Sequence, residues 1–416
     1  MKKTLLAAAL FAGFAGFAGA AQAETQVTLY GILDTGIEFL NVKGPGTIAN
    51  TSTASSTGVV TTTKAIGPLN YNSAGLDSGV TSGSRWGMKG TEDLGGGNQA
   101  LFNLESGFSV NDGKSAQGGR LFGRRAYVGL QNPSWGMFRV GRGPTIATDM
   151  FQSANSDPFG YAFGPFNLGN IATSVDTYRT DNQIGYMSPV FAGFQVGAGY
   201  SFNVDDNAAN TSTYAIGTPM AKRAQGFDLT STYTNGPLFV GLTYGQTNAI
   251  AYTLNDTVAT KAGNVRQIVL DASYDFQVVR IYGAYVRGWN GLVGGDGGVT
   301  MGSGGVTGIT LPTGNVYLSG LKQNAFMLGV SAPIGAAASV FATYQHQSLG
   351  GASSNYVGAF APAGTGGSSM NAFAVGTTYN LSKRTNLYGA VGYVNGVGNI
   401  SGQKETAAVI GMRHQF

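Results

Sequence analysis

Arginines and carboxylates between positions 85 and 181 could do chemistry without catalysing a reaction. Arg85, Arg124, Arg125 and Arg179 are candidate cations, with Glu105, Asp149, Asp157 and Asp176 as candidate acids. A guanidinium stays protonated at any physiological pH. Arginines projecting into a narrow wet passage with a low-dielectric wall would attract anions and lower their entry barrier. Carboxylates facing them would create a transverse field that orders water and disfavours apolar solutes. Equally, the two sets could pair with each other and hold a loop in place. Other chemistries find less support. His346 and His414 are far apart in the sequence, and no cluster beside either suggests a metal centre or a Ser/His hydrolase. No cysteine is present, which removes disulfides and thiolate metal sites. Gly294-Gly295-Asp296-Gly297-Gly298 lacks the strand-then-helix context and the lysine of a phosphate cradle, so it reads as an exposed loop. No cofactor is implied. The net charge of +4 is a small excess without clustered basic runs, not a nucleic-acid footprint.

The elements that must carry these charges are strands. Apolar and polar residues alternate with period two, as they do when one face of a sheet meets oil and the other water. Val27, Leu29, Leu33, Ile37 and Phe39 oppose Thr28, Tyr30, Asp34 and Glu38; Phe227, Leu229 and Tyr233 oppose Asp228, Thr230 and Thr232. The same holds for Ile268, Leu270 and Tyr274 against Gln267, Asp271 and Ser273, and for Phe373 and Val375 against Ala374 and Gly376. The final segment alternates to its last residue, with Ala408, Ile410, Met412, His414 and Phe416 on one face. Within this pattern Arg85 shares a face with Gly87 and Lys89, Glu105 with Asn103, and Arg179 with Asp181 and Gln183. Alternation favours Arg125 over Arg124 as the inward member of that pair, and both remain candidates.

Tight connections with turn chemistry, such as Gly95-Gly96-Gly97, Asn235-Gly236-Pro237 and Ser382-Lys383-Arg384, alternate with long polar or glycine-rich stretches. The long ones fall at about 41–82, 111–119, 144–178, 205–222, 250–264, 290–319, 350–369 and 396–403. Sixteen strands and eight long loops fit this spacing. Short turns at one end and long loops at the other are the asymmetry of outer-membrane barrels. Charged residues make up 11% of the chain, against about 25% in soluble domains. Only a closed sheet satisfies every backbone polar group in lipid without helices. Residues 1–23 read as a cleavable secretory leader: Lys2 and Lys3, an apolar stretch, then Ala21-Gln22-Ala23. That leaves 24–416 as one barrel domain. Tyr30, Phe39, Tyr186, Tyr200, Tyr274, Tyr344, Tyr379 and Tyr393, near strand ends, suit interfacial girdles.

Several blocks resemble the general porins of Gram-negative bacteria, particularly the betaproteobacterial and neisserial branch. Val27-Thr28-Leu29-Tyr30-Gly31-Ile32-Leu33-Asp34 resembles that family's first strand. Ser84 to Gly97 is similar to its second strand and first turn, Phe122 to Leu130 and Val140-Gly141-Arg142 to strands four and five, and Gly411 to Phe416 to its ending. The resemblance implies an all-β, 16-stranded antiparallel transmembrane β-barrel, trimeric and water-filled, with a third loop folded inward over roughly 144–178. It places an arginine of the Arg124-Arg125 block in the pore, and alternation together with the candidate loop adds Arg85, Glu105, Asp149, Asp157 and Arg179 to the expected constriction, with Arg124 and Arg125 both kept. Ile410, Met412 and Phe416 would form the C-terminal assembly signature, with outer-membrane lipid, lipopolysaccharide, the barrel assembly machinery and small hydrophilic solutes as partners. Mildly anion-preferring passive diffusion is the function expected. A channel specific for sugars or carboxylates, an outer-membrane hydrolase and a plugged adhesin are the alternatives.

Overall fold

The computed structural model describes residues 26–54, 60–153, 156–160, 163, 179–204, 225–248, 264–292, 316–351, 369–399 and 401–416. The expected leader, Asp176 and the Gly294–Gly298 segment lie outside them. Seventeen strand segments form one antiparallel sheet. The first half comprises β1 Gln26–Ala54, β2 Val60–Ser78, β3 Arg85–Gly95, β4 Asn98–Gly107, β5 Arg125–Asn132, β6 Gly136–Pro144, β7 Arg179–Met187 and β8 Phe194–Ser201. The second comprises β9 Gly226–Asn235, β10 Leu238–Thr247, β11 Val265–Asp275, β12 Arg280–Leu292, β13 Val316–Ile334, β14 Ala338–Gly351, β15 Met370–Asn380, β16 Thr385–Asn395 and β17 Lys404–Gln415.

The ring closes as β1 pairs with β17, from Ile32 opposite Gln415 to Lys43 opposite Lys404. The other edge of β1 meets β2 along Thr35–Ala54 and β3 along Gln26–Ile32. β2 and β3 therefore share one place, and the barrel has the expected sixteen strands around it. Between them, Thr81 and Ser84 turn back to Asp34: Thr81 donates to Asp34 Oδ2, and Ser84 Oγ to the Asp34 carbonyl at 3.0 Å.

The expected loop at 41–82 is corrected by this pairing. It is mostly a ribbon, continuous in register from Thr35 opposite Ser78 to Ala54 opposite Val60 apart from one bulge. Its threonines and valines favour extended backbone. No apolar face alternates along it because β1 has run past its last β17 partner, Lys43, and leaves the barrel wall.

The outward face is apolar, with Leu29, Leu229, Val375 and Ile410 all more than half exposed. Contiguous apolar surface on this scale is a liability in water and a match for hydrocarbon. Phe39, Tyr186, Tyr200, Tyr274, Tyr379 and Tyr393 are on it. Tyr30 is not: its hydroxyl points inward and lies 2.9 Å from both Glu105 Oε2 and Asn103 Oδ1. The inward face is less polar than the alternation suggested. Phe239, Val269, Tyr282 and Met327 join Phe151, Phe159 and Phe163 in one buried apolar cluster. Part of the inner wall is thus a seat for chain, not a lining for water.

Candidate functional site

The chain after β6 turns into the barrel as helix α1, Ile146–Ser153. Pro144 ends the strand, and Thr145 caps the helix by accepting the Thr148 N–H at 3.1 Å. Asp228, from β9, accepts the Ala147 N–H at 2.9 Å, placing an anion at the positive end of the helix. Beneath α1 the wall is glycine. A Cβ at Gly197 would fall 2.5 Å from both Ile146 Cγ2 and Met150 Sδ, and one at Gly185 2.5 Å from Ile146 Cδ1. The same lane continues at Gly241 under Phe151 and at Gly329 under Pro158. Phe159 then stands edge-on to Phe341, centroids 4.7 Å apart, and the Phe163 N–H donates to Val80 O at 2.9 Å. The loop thus crosses the lumen from β6 to the gap between β2 and β3.

Facing the lumen along β3 to β7 is a wall of guanidinium groups. Arg124 Nε donates to Glu105 Oε1 at 2.7 Å, and Arg125 Nη2 to Asp149 Oδ1 at 2.7 Å. Arg139 pairs with the other oxygen of Asp149, with Pro144 O and with Gln183 Oε1. Arg142 and Arg120 share Asp181. Arg85 and Arg179 lie within electrostatic reach of Arg124. Among the described residues of this wall, arginines outnumber carboxylates seven to three. Burial pushes the Asp149 carboxyl up, but Arg139 and Arg125 outweigh that and hold it below the ordinary carboxylate range.

The structure brings Arg85, Glu105, Arg124, Arg125, Asp149 and Arg179 together. Arg124 and Arg125 both lie on the lumen side, because Arg124 precedes β5 and is not bound by its alternation. Asp157 is elsewhere. It is buried beside β13 and β14, where its Oδ1 accepts the Phe159 N–H at 2.8 Å. Among the described loop acids, Asp149 does not face the arginines across a gap but lies against the arginine wall itself.

Arg139, Arg142, Arg120, Asp181 and Tyr30 complete the site and were not singled out in the sequence as site residues. Arg139 was findable, since Phe138 and Val140 on either side face outward. Arg142 was not, because a register shift between Gly141 and Gly143 breaks the alternation. Arg120 is on a connection with no period to read. The histidines lie apart from this site. His346 stacks on Phe326 and contacts Asn371 at 2.9 Å, and His414 contacts Thr385 at 2.9 Å.

Comparison with known proteins agrees with this geometry. A family profile described as Gram-negative porin matches residues 6–399. An outer membrane porin protein of Bordetella pertussis is 43% identical, with all of both chains covered. Outer membrane porin protein 32 of Delftia acidovorans is 29% identical, again over all of both chains. Among solved structures, an anion-selective porin from Comamonas acidovorans superposes with a TM-score of 0.64 at 25% identity, covering 94% of this chain and 100% of that one.

Proposed function

The chain belongs to the Gram-negative porin family, and on that premise we propose that the arginine wall makes its outer-membrane channel prefer anions. The observation that carries this reading is the excess of guanidinium over carboxylate on β3 to β7, beside the loop that narrows the lumen. Charge fixed on a low-dielectric wall acts over the width of a narrow passage, where salt screens it least. Anions are drawn toward the constriction and cations repelled, while the loop sets the size limit. The anion selectivity stated for the Comamonas acidovorans structure supports the same sign. Arg125 and Arg139 also hold the loop through Asp149, so Arg85, Arg124 and Arg179 are the better probes of permeation. Replacing these three with serine is expected to move the zero-current potential in a salt gradient toward cation preference. An unchanged potential in planar-bilayer recording would remove the arginine wall from the mechanism.

The same reading takes residues 1–23 as an export leader, the barrel assembly machinery as the insertion route, and a homotrimer in contact with lipopolysaccharide as the working form. Family membership supports each of these. Mass measurement of the detergent-extracted protein, with its N-terminal sequence, tests the trimer and the leader together.

A further inference from the structure

Beyond the loop, on the side of the short turns, the lumen holds a cavity of about 520 Å³ lined by strands from β11 to β17 and by Thr81 and Ser82 between β2 and β3. Its position is fixed by β-strand ends: Asp275 and Arg280 flank the β11–β12 turn, Ser331 and Ser339 the β13–β14 turn, and Arg413 lies near the end of β17. The loop supplies its roof through Phe159 and Phe163, whose rings stack 5.7 Å apart, with Phe341 of β14 edge-on to Phe159. Tyr282 and Tyr388 extend the aromatic lining.

Its two cations differ in their partners. Arg280 donates to Asp275 Oδ2 at 2.8 Å, so a carboxylate already offsets it. Arg413 donates to the neutral Ser82 hydroxyl at 3.1 Å, with the Asp34 carboxylate, behind Tyr388, only within electrostatic reach. Asp157, also in the lining, spends one carboxylate oxygen on the Phe159 N–H. We propose that this cavity is an exit-side subsite for organic anions with an aromatic body, Arg413 taking the carboxylate and the Phe159–Phe341 pair the ring.

Guanidinium matches carboxylate in a planar two-point contact, and edge-and-face aromatic walls receive a third ring in the same geometry. Cavities of this size hold small organic ligands. A simple inorganic anion would gain the charge contact and nothing from the aromatic surface, so it would pass without delay. The subsite lies after the constriction for an inbound solute, and it would lengthen the stay of aromatic carboxylates there.

The inference rests on the channel reading, and two measurements keep the two separable. The first is single-channel current with benzoate or acetate added on the short-turn side. Benzoate is expected to interrupt the current at concentrations at least tenfold lower than acetate, and less effectively from the long-loop side. Arg413→Gln is expected to weaken that interruption at least fivefold and to leave chloride preference unchanged, and Phe341→Ala, separately, to weaken the interruption at least fivefold. The second is saturation-transfer NMR of benzoate with detergent-folded protein, which reads binding whether or not the barrel conducts. Ring protons receiving saturation in the unaltered protein and losing it in both variants support the subsite. Equal behaviour of benzoate and acetate, or full saturation transfer in both variants, overturns it. A barrel that binds benzoate and carries no current overturns the channel reading alone.

Discussion

Asp149 is shared by Arg125 and Arg139, so its loss would leave buried Arg139 and half-buried Arg125 without the anion they share. Breaking such a pair costs about 3 kcal/mol or more. Asp149→Asn is therefore expected to lower the thermal unfolding temperature and to make the open-channel current noisier, because the loop loses its anchor. The pH dependence follows from the direction of the shift. The folded carboxyl titrates below the unfolded value of about 3.9, so its contribution is complete above that value and disappears as pH falls through the lower folded one. Current noise should stay flat from pH 7 to about 4 and rise only in stronger acid, and the Asn variant should show no such step. A transition centred above pH 5 would assign the anchor to another group.

At the scale of elements, the glycine lane decides where the loop can lie. Gly197→Val would drive a side chain into Ile146 and Met150, an overpacking of roughly 1–3 kcal/mol. The expected result is a displaced α1, seen as altered conductance in a barrel that still folds; unchanged conductance would mean that the loop is not seated there. Strands with one wet and one oily face, such as β9, were legible from period two alone. The β1–β2 ribbon was not, since it carries no oily face to alternate. The loop seat also stayed hidden, because Val269 and Met327 point inward where water-facing residues were expected. What they contact is set by a segment more than a hundred positions earlier, and no local pattern encodes that. Arg142 escaped for a different reason: the bulge at Gly141, whose φ of 140° is glycine territory, turns it inward out of phase.

For the whole molecule, the critical contact is the last residue on the first strand. The Phe416 and Gly31 main chains bond reciprocally at 3.1 Å in both directions. The Phe416 ring lies over Gly31, where a Cβ would come 2.3 Å from its Cζ. Gly31→Val is expected to cut the yield of closed barrel severalfold, read as the fraction running at the folded position on an unheated gel; a normal yield would show that the seam tolerates a side chain. Tyr388 and Asp34, bonded at 2.8 Å across 354 positions, lie beside the same closure. Joining such distant segments is intrinsically slow. During biosynthesis, a polypeptide lacking its final strand would present two raw hydrogen-bonding edges and a sticky flank to the aqueous compartment, an invitation to aggregation. Completeness and solubility are thus coupled, and proteolytic surveillance can tell a finished molecule from a broken one simply by whether its rim has been sewn shut.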